Sequence, residues 1–406
     1  MNIAYRLWMP AVLVILALLA LFAFGFLGIG RDGGDFAFDM PYIHVAGKMW
    51  AGLLNPYDAA EFKLHMKAVT GAESEIYAYP PNSAPLALLL SIGSLTLAKA
   101  MMAALGTASI FFLICFVYYG ATRRSGRGLG PIDADMRSLS PEILLVTAAV
   151  IIGNPFTAHI MWMGQTTLLC SAFLLASWIM ADRNRDIAAG ILLGISAFKP
   201  QLAFLVGIWF LLDRRWSLVL AAAVTTIAVS ALPVLASGIE GSWLSWLRSL
   251  RNYQDSGFNT VTSEHVFGLR SLLAATGITA PPLIPLGIIG LVLLYRARRA
   301  YENIWLVTAI LAITFLTLFS HDYDVAPVAV VAYPLLKAAR GRKALLGALL
   351  MLALILFFPQ RIWERAGLGE LARSREIALL AIFAIYLSIC RVSPLTISGA
   401  GAKERA

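Results

Sequence analysis

The stretch SAPLALLLSIGSLTLAKAMMAALGTASIFFLICFVYYGATRRSGR, residues 83–127, decides the fold. It holds two apolar runs, 83–96 and 98–119, and ends on Arg123, Arg124 and Arg127. A membrane helix needs ~20 apolar residues, so the second run spans a bilayer and the first falls short. Lys and Arg concentrate in cytoplasmic loops. With the polar stretch 31–82 outside, two full crossings would put the basic loop 123–137 outside as well. The run 83–96 therefore reads as a re-entrant or partial helix on the outer side.

The rest of the chain follows the same pattern. Of 406 residues 59% are apolar, which at ~20 per crossing furnishes roughly twelve spans. Charged residues make up 14%, against ~25% in soluble domains. A soluble enzyme is excluded. The longest polar stretch, about 31–82, is too short for a nucleotide-binding Rossmann half, and the chain has no Gly-rich phosphate loop. The remaining apolar runs are 7–29, 142–153, 160–181, 187–198, 199–212, 216–238, 281–299, 304–320, 325–338, 344–359 and 377–392. The run 7–29 follows Arg6, lacks a clean cleavage site and reads as a retained first helix. The expectation is an all-α polytopic membrane protein forming one integral membrane domain over 1–406. It has about 12 transmembrane helices plus a partial outer-face helix, and its outer loop 31–82 carries surface helices.

Charge separates the two faces. The net charge is +9, and 19 of the 32 basic residues sit in short segments. These hold Arg6, Arg123, Arg124, Arg127, Arg137, Arg183, Arg185, Arg214, Arg215, Arg296, Arg298, Arg299, Lys337, Arg340, Arg342, Lys343, Arg391, Lys403 and Arg405. They mark the cytoplasmic side of a plasma (inner) membrane. They are loop ends and make no continuous basic surface, so nucleic acid is not a partner. The acid-rich loops 31–82 and 239–271, with the corner 321–324, fall outside. Trp243 and Trp246 suit the headgroup level there. Cys115, Cys170 and Cys390 lie inside apolar runs and read as small apolar fillers.

The outer face collects the candidate chemistry. Asp35 and Asp39 are four apart and share a face if helical. A carboxylate at headgroup depth can take a proton from an attacking hydroxyl, worth ~10²–10⁴ in rate. Loop solvation, or an N-cap for the surface helix, would also explain them. Lys199, between two short apolar helices, either snorkels to water or meets an anion such as a lipid phosphate. Gly164-Gln165 opens a helix, and the Gln165 amide can bond a sugar or merely pack. His321 and Asp322 end a helix outside, and Asp322-Tyr323-Asp324 is an isolated DxD. Glu264-His265 has no HExxH partner. No metal site and no cofactor are implied.

Four features occur in order: Gly34-Asp35-Phe36 through Ala46-Gly47 to Asn55-Pro56-Tyr57-Asp58; Tyr79-Pro80-Pro81; Gly164-Gln165 with Ala189-Gly190 and Phe198-Lys199-Pro200; and His321-Asp322-Tyr323-Asp324. Together they resemble glycosyltransferase family 87, the polyprenol-phosphate-mannose-dependent mannosyltransferase-like proteins of the GT-C fold. The resemblance covers about 30–340. It implies transfer of a sugar, mannose by family default, from a polyprenyl-phosphate carrier to a glycolipid or glycan acceptor hydroxyl. Transfer would be inverting, on the extracytoplasmic side of the bilayer, with an outer-loop Asp as base. The Gly-Gly-Asp-Phe context points to Asp35, and the eight-residue spacing to Gly47 points to Asp39. Lys199 matches the lysine beside proline, a partner for the donor phosphate. His321 matches an outer-corner residue, and Gln165, Asp322, Arg270 and Tyr79 are further donor-binding candidates. The alternatives are a transporter or flippase of lipid-linked sugars, or a non-catalytic scaffold. Polar residues gathered at one face, and not at the midplane, favour the enzyme.

Overall fold

The computed structural model describes residues 3–31, 35–71, 73–123, 139–358, 360–368, 371 and 373–391. Gly34 of the first motif and the basic positions Arg124, Arg127, Arg137, Lys403 and Arg405 lie outside the described residues.

The described chain is almost wholly helical. In order come α1 (Ile3–Ala20), α2 (Met40–Ala51), α3 (Ala59–Thr70), α4 (Ala84–Ser91) and α5 (Leu95–Thr122). Then follow α6 (Pro141–Gly153), α7 (Pro155–Met163), α8 (Thr167–Asp182), α9 (Asp186–Ser196) and α10 (Pro200–Leu212). Next are α11 (Trp216–Val229), α12 (Ala231–Ile239), α13 (Ser245–Asp255), α14 (Leu269–Ala275) and α15 (Ile284–Ala297). The last are α16 (Leu306–Thr317), α17 (Ala332–Ala338), α18 (Lys343–Phe357) and α19 (Ser374–Ile389). Two helices, Leu7–Phe26 and Leu95–Thr122, are long and apolar enough to cross a membrane. The number rises to four if each of two bent pairs forms one span. The short apolar run 83–96 is a separate eight-residue helix, α4, ahead of the long α5.

The chain divides into two compact units. One comprises residues 1–21, 111–157 and 267–406. Its α16 is buried along its whole length. The break between α6 and α7 is satisfied inside this unit. Asn154 donates to the carbonyls of Val150 (3.0 Å) and Ile151 (3.1 Å), and accepts from the Thr157 N–H (2.9 Å). Pro155 cannot donate an N–H, and Asn154 supplies the bonds that an unbroken helix would have made.

The other unit comprises residues 22–110 and 158–266. Here Gly190 and Gly194 let α9 lie against α11. A Cβ at either would meet a backbone oxygen, of Leu218 at 2.3 Å or Ala222 at 2.6 Å. Small residues four apart permit this approach in membrane helices.

Two parts of the outer loops are packed into protein. Nine of the twelve residues of α2 are buried, including Met40, His44, Met49 and Trp50, so α2 is an internal helix. Trp246 is buried too, and its indole N–H donates to the Ala78 carbonyl at 3.0 Å. A Trp that spends its N–H on a backbone carbonyl acts as a strut, not as a headgroup anchor.

Candidate active site

The site begins with a turn. Asp35 and Asp39 do not share a helix face. Residues 36–39 form a turn with Ala37 at φ 56°, and α2 starts only at Met40. The reason is a backbone latch: Ala37 N–H donates to the Trp162 carbonyl (2.7 Å) and Asp39 N–H to that of Met163 (3.0 Å). These carbonyls end α7, where the helix would otherwise leave them unsatisfied. Gly164 then closes α7 in the left-handed region, at φ 72°. A Cβ there would lie 2.9 Å from the Ala37 Cβ, so glycine is required both by conformation and by contact.

The latch separates the two carboxylates. Asp35 is exposed and lies 3.8 Å from Lys99. Asp39 is half-buried at the N-cap position of α2, yet its side chain makes no cap bond. It accepts a hydrogen bond from the Gln165 amide N–H instead. The Gln165 carbonyl oxygen accepts from the Tyr79 hydroxyl at 3.0 Å, and the Thr166 hydroxyl donates to Tyr79 at 3.4 Å. The chain Thr166, Tyr79, Gln165, Asp39 runs in one direction of donation.

Tyr79 is itself braced. The carbonyls of Tyr77, Ala78 and Tyr79 each accept from a side chain: Ser249 (3.1 Å), Trp246 (3.0 Å) and Tyr57 (2.7 Å). An extended segment with no neighbouring strand gains its hydrogen bonds from side chains. Asn55 and Asp58 of the same motif serve the frame. Asn55 donates to the Gly241 carbonyl at 2.9 Å, and Asp58 caps α3 through the N–H groups of Ala60 and Glu61.

Lys199 supplies the cation. It is buried at the N-cap of α10, ahead of Pro200, and its ammonium donates to the Thr167 hydroxyl at the start of α8. Burial pushes the Asp39 carboxyl up from the usual carboxylate range to about 6. The Gln165 hydrogen bond and the Lys199 charge pull the other way and are outweighed. Burial likewise pushes the Tyr79 phenol well above its ordinary value, so it stays a hydrogen-bond donor. The grouping joins a carboxylate that titrates near neutrality to a fixed ammonium. That combination suits proton removal beside a departing anion.

Three of the eight candidates, Asp39, Gln165 and Tyr79, belong to this network, Lys199 acts on Asp39 through its charge, and Asp35 stands apart. His321, Asp322 and Arg270 belong to the other unit. There Asp322 is buried and paired with Arg375 at 3.0 Å, His321 stacks on Tyr323 with ring centres 5.2 Å apart, and Arg270 donates to the Ala280 carbonyl at 3.0 Å. Thr166, Thr167 and Ser249 carried no sequence signal, because ordinary hydroxyls gain their role only from placement, and Trp246 drew only the headgroup reading. Among the described residues no group of three or more His, Cys, Asp or Glu could hold a metal.

The family model of glycosyltransferase family 87 matches residues 77–321. The chain belongs to glycosyltransferase family 87. It is therefore a transferase of sugars, which sets aside the transporter and scaffold readings. No curated protein matches the chain. Among solved structures, the crystal structure of ArnT from Cupriavidus metallidurans bound to undecaprenyl phosphate is similar at 14% identity. That match covers 94% of this chain and 77% of ArnT, with a TM-score of 0.36.

Proposed function

We propose that this family 87 member moves a sugar from a polyprenyl-phosphate carrier to a hydroxyl of a glycolipid or glycan, with Asp39 as general base. The observation that carries the reading is the half-buried Asp39 carboxylate, bonded by Gln165 and within reach of the Lys199 charge. Asp39 takes the proton from the acceptor hydroxyl. The acceptor oxygen attacks the anomeric carbon in line and inverts it. The bond from that carbon to the phosphate oxygen breaks, and the polyprenyl phosphate leaves with the electron pair. Lys199 stabilises the charge on the departing phosphate. Such a donor arrives already activated, so the chemistry needs only a base and a cation from the protein.

Mannose as the sugar, twelve crossings with one partial outer helix, and a plasma-membrane enzyme working on its outer face complete the proposal. They rest on the family resemblance and on the placement of the basic loops. The base and the phosphate cation are assigned from residues 22–110 and 158–266 alone. His321, Asp322 and Arg270 remain proposed donor contacts, with Asp322 the weakest because Arg375 already holds it.

The test is transfer from polyprenyl-phosphate mannose by purified protein. Asp39→Asn is expected to lose ~10²–10⁴ of the rate, the worth of a general base. Asp35→Asn is expected to keep it. Loss in Asp35→Asn with full activity in Asp39→Asn would overturn the assignment. Full donor binding by Lys199→Ala would overturn the phosphate role.

A further inference from the structure

A second site lies in the unit formed by residues 1–21, 111–157 and 267–406, and none of the residues given a part in the transfer above lines it. The turn between α17 and α18 presents Arg340, Arg342 and Lys343, all exposed. None of the three has an ion-pair partner among the described residues. Arg342 is the N-cap of α18 and Lys343 its first residue, with no side-chain cap and no acid in the first turn. This inverts the usual arrangement. The start of a helix is its positive end and favours an anion, yet here three cations gather on it.

A cleft of about 720 Å³ opens beneath this turn. That is a ligand-sized volume, since small-molecule pockets run ~300–1,000 Å³. The cations form its rim, together with Trp8 and Glu142. Glu142 is engaged by the Ser140 hydroxyl at 3.0 Å, and the rim stays net positive. The rest of the lining is mainly apolar: Met9 from α1, Ile143 and Val146 from α6, Leu346 and Leu350 from α18. From Lys343 to Leu350 the wall runs about 10 Å at 1.5 Å per residue. A ligand matching both parts carries an anionic head and a hydrocarbon tail on one molecule.

We propose that this cleft binds one anionic glycerophospholipid of the leaflet that faces the basic loops. Its phosphate would sit among Arg340, Arg342 and Lys343 at the start of α18, and an acyl chain would lie along Leu346 and Leu350. Charge complementarity selects the occupant. A zwitterionic lipid brings its own cation to a rim that already has three, whereas phosphatidylglycerol brings only the phosphate. Trp8 suits the boundary between head and tail. The site is independent of the transfer reaction proposed above.

Native mass spectrometry of the detergent-purified protein tests it, with phosphatidylglycerol, phosphatidylcholine or undecaprenyl phosphate added. Wild type is expected to retain phosphatidylglycerol in preference to phosphatidylcholine. A triple variant, Arg340→Gln with Arg342→Gln and Lys343→Gln, is expected to weaken that binding by at least about tenfold. These residues are exposed, so the variant should fold, and unchanged transfer activity confirms that it has. Equal retention of the two phospholipids, or an unaffected triple variant, overturns the proposal. Displacement of phosphatidylglycerol by equimolar undecaprenyl phosphate overturns it in favour of the carrier lipid.

Discussion

Asp39 poses a conflict between folding and catalysis that a single substitution exposes. Its carboxyl is moved from 3.8 to about 6 by burial. The folded chain therefore holds that proton more tightly than the unfolded one. The stabilisation is fully present below pH 3.8 and is lost as pH rises through about 6, at most about 3 kcal/mol. Asp39→Asn keeps an oxygen for the Gln165 amide and removes the charge. We expect this variant to melt higher than wild type in detergent at pH 8, with the gap closing at pH 4. The same variant loses transfer. In the wild type only the ionised carboxylate accepts a proton, so the rate should fall as pH drops below about 6. Gln165 and Tyr79 act on this limb as positioning residues. Tyr79→Phe removes the hydroxyl that fixes which end of the amide meets Asp39. With the charge-stabilising bond weakened and Lys199 unchanged, the acid limb should move to higher pH. A pH–rate profile that does not move would assign Tyr79 to packing alone.

Elements are legible in the sequence where composition alone determines them and opaque where a polar side chain redirects the backbone. The runs 187–198 and 199–212 predict α9 and α10 to within two residues at each end, because Lys199-Pro200 stops one helix and starts the next. The run 160–181 does not map onto one helix. Gly164 ends α7 at Met163 and α8 starts at Thr167, so the site network occupies the gap. The turn at Ala37 is less legible still, since alanine advertises no positive φ and the cause is the distant Trp162 carbonyl. For the site this meant that motif order could bring forward Asp39, Gln165, Tyr79 and Lys199, but spacing could not choose between Asp35 and Asp39. Two element-scale outcomes follow. Asn154→Ala would leave the buried Thr157 N–H without its acceptor and take one of two donors from each of the Val150 and Ile151 carbonyls. It should cost about 2–3 kcal/mol, read as a lower melting temperature in detergent. Gly164→Ala puts a Cβ against Ala37 at a left-handed residue and should dislodge Gln165. Its signature would be a loss of transfer out of proportion to the loss of stability.

At the scale of the whole molecule, the arithmetic of roughly twelve spans must be reconciled with helices that are mostly short. Leu7–Phe26 and Leu95–Thr122 are long and apolar enough to cross. Others, such as α8, α9, α10 and α18, have 11–16 residues, or about 17–24 Å at 1.5 Å per residue, against a hydrocarbon core of ~30 Å. Polar or glycine-closed breaks let a crossing be assembled from two pieces. The joint between α11 and the helical stretch beginning at Ala231 bends by 64°. Broken helices are tolerated at membrane depth where protein satisfies the backbone, as Asn154 does. Parity is then set by charge. If α4 turns back without crossing, residue 98 lies outside and residue 130 inside, and every later basic loop falls on the side of residue 130. Reporter fusions at the two positions separate the arrangements. An extracellular-only reporter active at 98 and silent at 130 agrees with a partial α4. The opposite pattern would make α4 a full crossing and carry the basic loop outside. It would also reverse the face assigned to Arg340, Arg342 and Lys343.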